Sequence, residues 1–140
     1  MPLARIDLVR GKPADYRRAV GEVVYDAMVA TLNAPKDDRF QVVTEHAEDG
    51  LIADPNYLGI RRTKNCIFIQ LTLNEGRTLD QKRAFYKAVA DGLHQRLDVR
   101  REDVLISLVE VKKENWSFGN GEAQYAQRHS IESAMRRDAR

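Results

Sequence analysis

The 140-residue chain has a single cysteine and a single tryptophan, and it lacks any marked excess of charge of one sign. With one cysteine, Cys66, no intrachain disulfide and no cysteine-based metal cluster can form. Cys66 lies in the apolar run Cys66-Ile67-Phe68-Ile69, where a small buried residue is expected rather than a reactive thiol. Lys and Arg number 23 against 21 Asp and Glu, a net charge of +2. That balance argues against a nucleic-acid partner, which would demand a basic excess to neutralise phosphates. No apolar stretch approaches the roughly 18 residues of a membrane span. Arg5, Asp7 and Arg10 break the only stretch near the start that could pass for a secretory signal. The expectation is a cytoplasmic protein with no membrane partner.

Other familiar chemistries are also missing. His46, His94 and His129 are too scattered to form a ligand set, so no metal site is expected. His94 falls on a helix, at its surface or edge. Ser107 stands inside a strand without a nucleophile elbow, and Gly119 and Gly121 suit a turn better than a phosphate loop. No cofactor is expected. Arg136, Arg137 and Arg140 decorate the terminal segment and read as a solvated tail.

What is present is a regular alternation of strands and helices in an ordinary globular composition, 43% hydrophobic and 31% charged. Leu3 to Val9 alternates as a strand ending before Gly11. Pro13 suits the first turn of a helix, whose stripe from Tyr16 runs through Val20, Val23, Val24, Ala27, Met28 and Leu32. Asn33-Ala34-Pro35 stops it. Phe40 to Thr44 is a second strand. Residues 45–64 are punctuated by Gly50, Pro55, Asn56 and Gly59, and read as irregular with a short strand near Leu58-Gly59-Ile60. Cys66 to Leu73 is almost continuously apolar, as in a strand covered on both faces. Thr78 and Gln81 form a capping-box pair opening a helix with the stripe Phe85, Ala88, Val89, Leu93 and Leu97. Val104 to Val111 is the fourth strand, and residues 122–140 suit a helix or a partly ordered end.

Strand starts at Leu3 and Cys66 are 66 − 3 = 63 apart, and those at Phe40 and Val104 are 104 − 40 = 64 apart. The chain therefore reads as one α/β (α+β) domain, 1–140, made of a tandem β-α-β repeat with halves about 2–46 and 65–111 and a tail 112–140. Crossovers of this length favour parallel pairing within each half, giving a mainly parallel four-stranded sheet with two helices on one face. The other face, expected to be rich in Ile, Leu and Phe, needs partner subunits, so a homo-oligomer is expected.

Pro2 draws attention by its place. Removal of Met1 would expose a secondary amine at the end of a strand, and an α-amino group titrates roughly around 7.7–8.0, within reach of physiological pH. Such a group serves as acid, base or amine nucleophile.

A β-α-β repeat beginning Met-Pro resembles the tautomerase superfamily, and within it the malonate semialdehyde decarboxylase-like branch. The residues that carry the resemblance are Pro2, the loop Pro35-Lys36-Asp37-Asp38-Arg39-Phe40-Gln41-Val42-Val43, the turn Gly76-Arg77-Thr78 followed by Asp80-Gln81-Lys82, and Trp116-Ser117-Phe118-Gly119. The resemblance spans roughly Pro2 to Tyr125. It implies a homotrimer with active sites near each Pro2, close to subunit boundaries. It also implies that Pro2 carries the chemistry, with an acid from the loop before the second strand and an arginine after the third. The acid maps onto Asp38, the carboxylate directly before Arg39-Phe40; Asp37 is one residue off, and the sequence leaves a swap open. The arginine maps onto Arg77. Trp116 and Phe118 map onto an apolar wall, with Tyr125 among the substrate-binding residues. The best-known decarboxylases of the branch look to have two arginines close together in this turn, where this chain has Asn74-Glu75-Gly76-Arg77.

The chemistry implied is decarboxylation of a small oxo-acid. Arg77 would fork onto the substrate carboxylate, a protonated Pro2 would hydrogen-bond the carbonyl oxygen, and the aromatic wall would exclude water. Asp38 would orient Pro2 or activate a water, which would also permit hydration of an acetylenic or unsaturated acid. Two alternatives stay open: keto–enol tautomerisation by a neutral Pro2, of the phenylpyruvate or 2-hydroxymuconate type, and a non-catalytic oligomeric binding module.

Overall fold

The computed structural model describes residues 2–126. Its main elements are β1 (Leu3–Val9), α1 (Ala14–Thr31), β2 (Phe40–His46), β3 (Ile67–Asn74), α2 (Leu79–Leu97) and β4 (Val104–Val111). The four strands form one sheet in the order β2-β1-β3-β4. Within each half the pairing is parallel, β1 with β2 and β3 with β4, whereas the central β1–β3 pair is antiparallel. Two parallel β-α-β units are thus joined head to tail, as the mainly parallel expectation required. β3 starts at Ile67, not Cys66, which makes the repeat uniform: 67 − 3 = 64 and 104 − 40 = 64.

Both helices lie on one face. Ala4, Ile6 and Leu8 of β1, Ile67, Ile69, Leu71 and Leu73 of β3, and Val20, Val24 and Met28 of α1 share one buried core with Phe85, Val89 and Leu93 of α2. Each large side chain so buried contributes about 1.5–3 kcal/mol. Gly92 lets the helices close on one another, since a Cβ there would stand 2.8 Å from Cγ1 of Val23. The helix ends follow their sequence signals. Pro13 serves as the N-cap of α1, one step outside the first turn, and at its far end the Ala34 N–H reaches back to the Met28 carbonyl around left-handed Asn33. Thr78 and Gln81 complete the capping box of α2.

Three expectations need correction. No strand forms at Leu58–Ile60. Tyr57–Gly59 is a 3-10 turn in which Leu58 and Gly59 have φ of 60° and 72°, whereas a strand requires extended backbone. The face of the sheet away from the helices is also less apolar than expected, because Ile6, Ile67, Ile69 and Ile106 all share the parity of the helix side. The opposite face carries Phe40, Val42, Phe68, Leu105 and Val109 interleaved with Arg5, Gln70 and Ser107. From Ile67 to Leu73 β3 is accordingly buried on the helix side alone; Phe68 and Thr72 are half-buried and Gln70 is exposed.

Residues 124–126 are helical, and the rest of the expected terminal helix, with His129 and the three tail arginines, lies outside the described residues. Among the described residues no helix is long and apolar enough to cross a membrane.

Candidate active site

Register decides which residues meet. β1 pairs in parallel with β2 from Leu3↔Phe40, and antiparallel with β3 from Leu3↔Thr72. One step earlier, buried Pro2 falls between Arg39 and Leu73. β4 runs parallel to β3 and ends with Asn74↔Val111. The start of β1, the loop before β2, the turn after β3 and the segment after β4 therefore converge on one end of the sheet. Pro2, Asp38, Arg77 and Trp116 belong to those four segments in turn.

The loop before β2 is pinned at two points to the side chain of Tyr25 on α1. The Tyr25 hydroxyl donates to the Lys36 carbonyl, and the Arg39 guanidinium lies 5.1 Å from the ring centroid. A turn closed by the Asp38 N–H donating to the Pro35 carbonyl then drives Asp38 inward while Asp37 stays exposed. Asp38 is 7% exposed, and its Oδ1 is buried without a hydrogen-bond partner. Burial raises its pKa above the ordinary carboxylate value, and the positive N-terminus of the chain pulls it back down. A buried carboxylate oxygen left unpaired costs about 1–3 kcal/mol. It is the kind of expense that functional sites carry.

The second half of the repeat also buries an acid ahead of its second strand, one whose hydrogen bonds are satisfied. Adding 64 to Pro2 gives Cys66; the same step takes Asp38 to Glu102, and the buried acid ahead of β4 is its neighbour Asp103, 2% exposed. Asp103 accepts from the Thr63 N–H at 2.7 Å and the Thr63 hydroxyl at 2.5 Å, with the Cys66 thiol and Arg100 also on it. Burial first, then the negative charge of Asp103, push the Cys66 thiol up to about 11. The counterpart of Pro2 is thus an internal amide beside an inert thiol and a saturated acid. Only the first half offers a chain-terminal position and an acid with an open oxygen.

Arg77 follows Gly76, whose φ of 120° makes the tight turn out of β3. Its Nε donates to the Leu32 carbonyl at 3.0 Å and its Nη1 to the Asn74 carbonyl at 3.0 Å. Two of five N–H donors are committed to backbone, which fixes the plane of the guanidinium. Nearby, Lys82 bonds Glu110 and holds that carboxyl below its usual range, with the Gly76 N–H and the Arg77 charge adding to the effect. The wall is an aromatic stack. Trp116 lies over Phe118 with centroids 5.4 Å apart and planes 17° apart, and Tyr125 meets Phe118 edge-on at 5.0 Å. Gln124 locks this segment, accepting from the Phe118 N–H and donating to the Gly119 carbonyl.

Asn74, Gln124 and Glu110 were not singled out by sequence. Asn74 is visible there only as a polar residue closing an apolar strand, a pattern shared by many turns. The histidines take ordinary partners: His46 Nε2 lies 2.6 Å from Asp7 Oδ1, and His94 Nδ1 lies 3.0 Å from the Val99 carbonyl. Among the described residues no three His, Cys, Asp or Glu side chains gather as metal ligands. A cleft of about 520 Å³, lined by Val9, Ile52, Arg62 and Lys64, lies at the opposite end of the sheet, and among the described residues it holds no unpaired buried side-chain atom.

With this geometry, two families both described as tautomerase enzyme match the chain, one over residues 38–119 and the other over residues 2–61. The probable tautomerase YusQ of Bacillus subtilis (strain 168) is 39% identical over 124 residues, covering 89% of this chain and 98% of that protein. The chain belongs to the tautomerase superfamily. It is an enzyme of that superfamily and falls in its malonate semialdehyde decarboxylase-like branch. The FG41 malonate semialdehyde decarboxylase inhibited by 3-bromopropiolate superposes with a TM-score of 0.84 at 35% identity, over 91% of this chain and 96% of that one. A second malonate semialdehyde decarboxylase, described with decarboxylase and hydratase activities, gives 0.82 at 27% identity, over 89% and 96%. A fused 4-OT symmetric trimer, at 22% identity and a TM-score of 0.72 over 89% and 98%, shares the fold alone.

Proposed function

We propose that this tautomerase-superfamily enzyme removes carbon dioxide from a small 3-oxo acid of the malonate semialdehyde type, using the amine of Pro2 exposed by loss of Met1. The observation that carries the reading is Asp38: a buried carboxylate with an open oxygen, in the segment paired beside the chain start. A carboxylate facing the terminal amine favours its protonated form. The ammonium would hydrogen-bond the substrate carbonyl, while Arg77 holds the carboxylate and Trp116 and Phe118 keep water out. The bond between C2 and the carboxylate carbon breaks, its electron pair forms the enolate, carbon dioxide leaves, and a proton from the Pro2 ammonium or from water is delivered to C2. The same ammonium with a water held by Asp38 would hydrate an acetylenic acid. The catalytic unit in this reading is one domain, and the unit in solution is a homotrimer, which would cover Phe40, Val42, Leu105 and Val109 on the open face of the sheet.

A second reading, keto–enol tautomerisation, is favoured by one feature: the turn offers Arg77 alone and places Glu75, not a second cation, beside it. Comparing carbon dioxide release from malonate semialdehyde with ketonisation of phenylenolpyruvate and 2-hydroxymuconate separates the two. A covalent adduct on the N-terminal residue after treatment with 3-bromopropiolate, absent in Pro2→Ala, is the expected sign of a reactive terminal proline. An adduct elsewhere, with full turnover in Pro2→Ala, overturns the role of Pro2 in both catalytic readings, and a wild-type protein that turns over none of these acids leaves a binding module.

A further inference from the structure

Asn74, the last residue of β3, is one of three buried polar or charged residues among those described, and it touches two proposed site residues at once. Its backbone carbonyl accepts Arg77 Nη1 at 3.0 Å, and its side-chain Oδ1 accepts Trp116 Nε1 at 2.8 Å. The indole N–H only donates, so the amide atom facing it must be the oxygen, which settles the orientation of the amide. The residue is held in turn by β4: it pairs with Val111, and the following Glu75 N–H donates to the Val111 carbonyl at 2.9 Å. The two partners lie 3 and 42 residues away in sequence, and among the described residues no other one bonds both.

We infer that Asn74 is a positioning residue that sets the distance and angle between the carboxylate clamp Arg77 and the aromatic wall of Trp116. This rests on the functional reading above and deepens it, by naming what fixes the width of the substrate slot. The amide oxygen is spent on the indole and has no part in the chemical step. Its loss would leave a donor-only indole N–H unpaired and free the Trp116–Phe118 stack to turn on the segment after β4. A loosened wall weakens the grip on a short carboxylate ligand; it leaves the proton chemistry at Pro2 in place. The signature is therefore in affinity and KM, with little change in kcat.

The test uses Asn74→Leu, which keeps volume and removes the acceptor, together with Trp116→Phe and the double variant. Trp116 is the only tryptophan, so emission reads its environment alone. Malonate serves as an unreactive probe, with affinity measured by calorimetry. Asn74→Leu is expected to shift the Trp116 emission, weaken malonate binding and raise KM about tenfold, and change kcat less than about threefold. The double variant is expected to bind malonate no more weakly than Trp116→Phe by itself. Unshifted emission, additive losses, or a fall confined to kcat overturns the assignment. Should Asn74→Leu not fold, Asn74→Ser, whose hydroxyl is too short to reach the indole, is read in the same way. The emission shift and weakened malonate binding in Asn74→Leu, beside a wild type that turns over no oxo-acid, sink the decarboxylase reading alone. Turnover with unshifted emission sinks the Asn74 role alone, and no malonate binding sinks both.

Discussion

Asp38 and Asp103 stand just ahead of β2 and β4, the matching strands of the two repeat halves, and both are buried; Asp103 is bonded on both oxygens by Thr63, whereas Asp38 keeps Oδ1 unpaired. A duplicated fold has two equivalent ends, and in this chain one of them is closed by Thr63 and Cys66 while the other retains an acid whose charge is costly. The difference separates structure from function within one molecule, and it directs the experiments.

Asp38→Asn should trade activity for stability. Burial raises the Asp38 pKa, so the folded protein binds that proton more tightly than the unfolded chain. The stabilisation is present below the unfolded pKa and is lost as pH rises through the folded one. Asn has no such loss, so at neutral pH the variant should be more stable by about 1–3 kcal/mol and unfold at a higher urea midpoint. The gap should close toward acid pH, and turnover should drop about 100-fold or more. A lower midpoint at neutral pH would contradict the burial argument.

Asp103→Ala should do the reverse. It leaves the Thr63 N–H and hydroxyl without their acceptor and frees the end of the 47–64 loop, at a cost of about 1–3 kcal/mol. Because this cluster lies at the far end of the sheet from Pro2, kcat/KM in folded protein should stay within about threefold of wild type. Urea titration at one fixed protein concentration, paired with steady-state kinetics, checks both halves of the statement.

Arg77→Ala should raise KM for the oxo-acid by about 10- to 150-fold, the range expected for a charged hydrogen-bonded contact. Part of the loss comes from freeing the Leu32 carbonyl, so Arg77→Lys is the informative companion: it keeps the charge and loses the fork. Wild-type KM in both variants would remove Arg77 from the substrate site.

Cys66 should stay silent in the native protein. With its pKa pushed up to about 11, thiolate at pH 7 amounts to roughly one part in ten thousand. Iodoacetamide should label it only after unfolding, so an adduct formed by 3-bromopropiolate on native protein should map to the N-terminal peptide. Rapid native labelling of Cys66 would refute the buried, Asp103-facing placement.

Leu105→Glu places a charge on the open sheet face, near the start of the edge strand β4, at a position 40% exposed in the single chain. If trimer formation covers that face, light scattering should report a shift toward monomer, and activity should fall with it. A variant that remains trimeric would place the subunit contact elsewhere.

The sequence by itself determined the strands, the helices and their order, because period-two and period-3.6 patterns, the Thr78–Gln81 box and the Asn33-Ala34-Pro35 stop are local properties of the chain. It also supplied Pro2, Asp38, Arg77 and Trp116 as candidates through the order of their motifs. Tertiary structure alone decided that β1 and β3 run antiparallel, which carries the ends of β3 and β4 to the starts of β1 and β2. It decided that Asp38 turns inward and Asp37 does not, since burial depends on how the loop is pinned to Tyr25 on α1. And it brought out Asn74, whose bond to Trp116 spans 42 residues. Hydrogen bonds between segments far apart in the chain leave no periodic trace in the sequence, and these bonds set the dimensions of the candidate site.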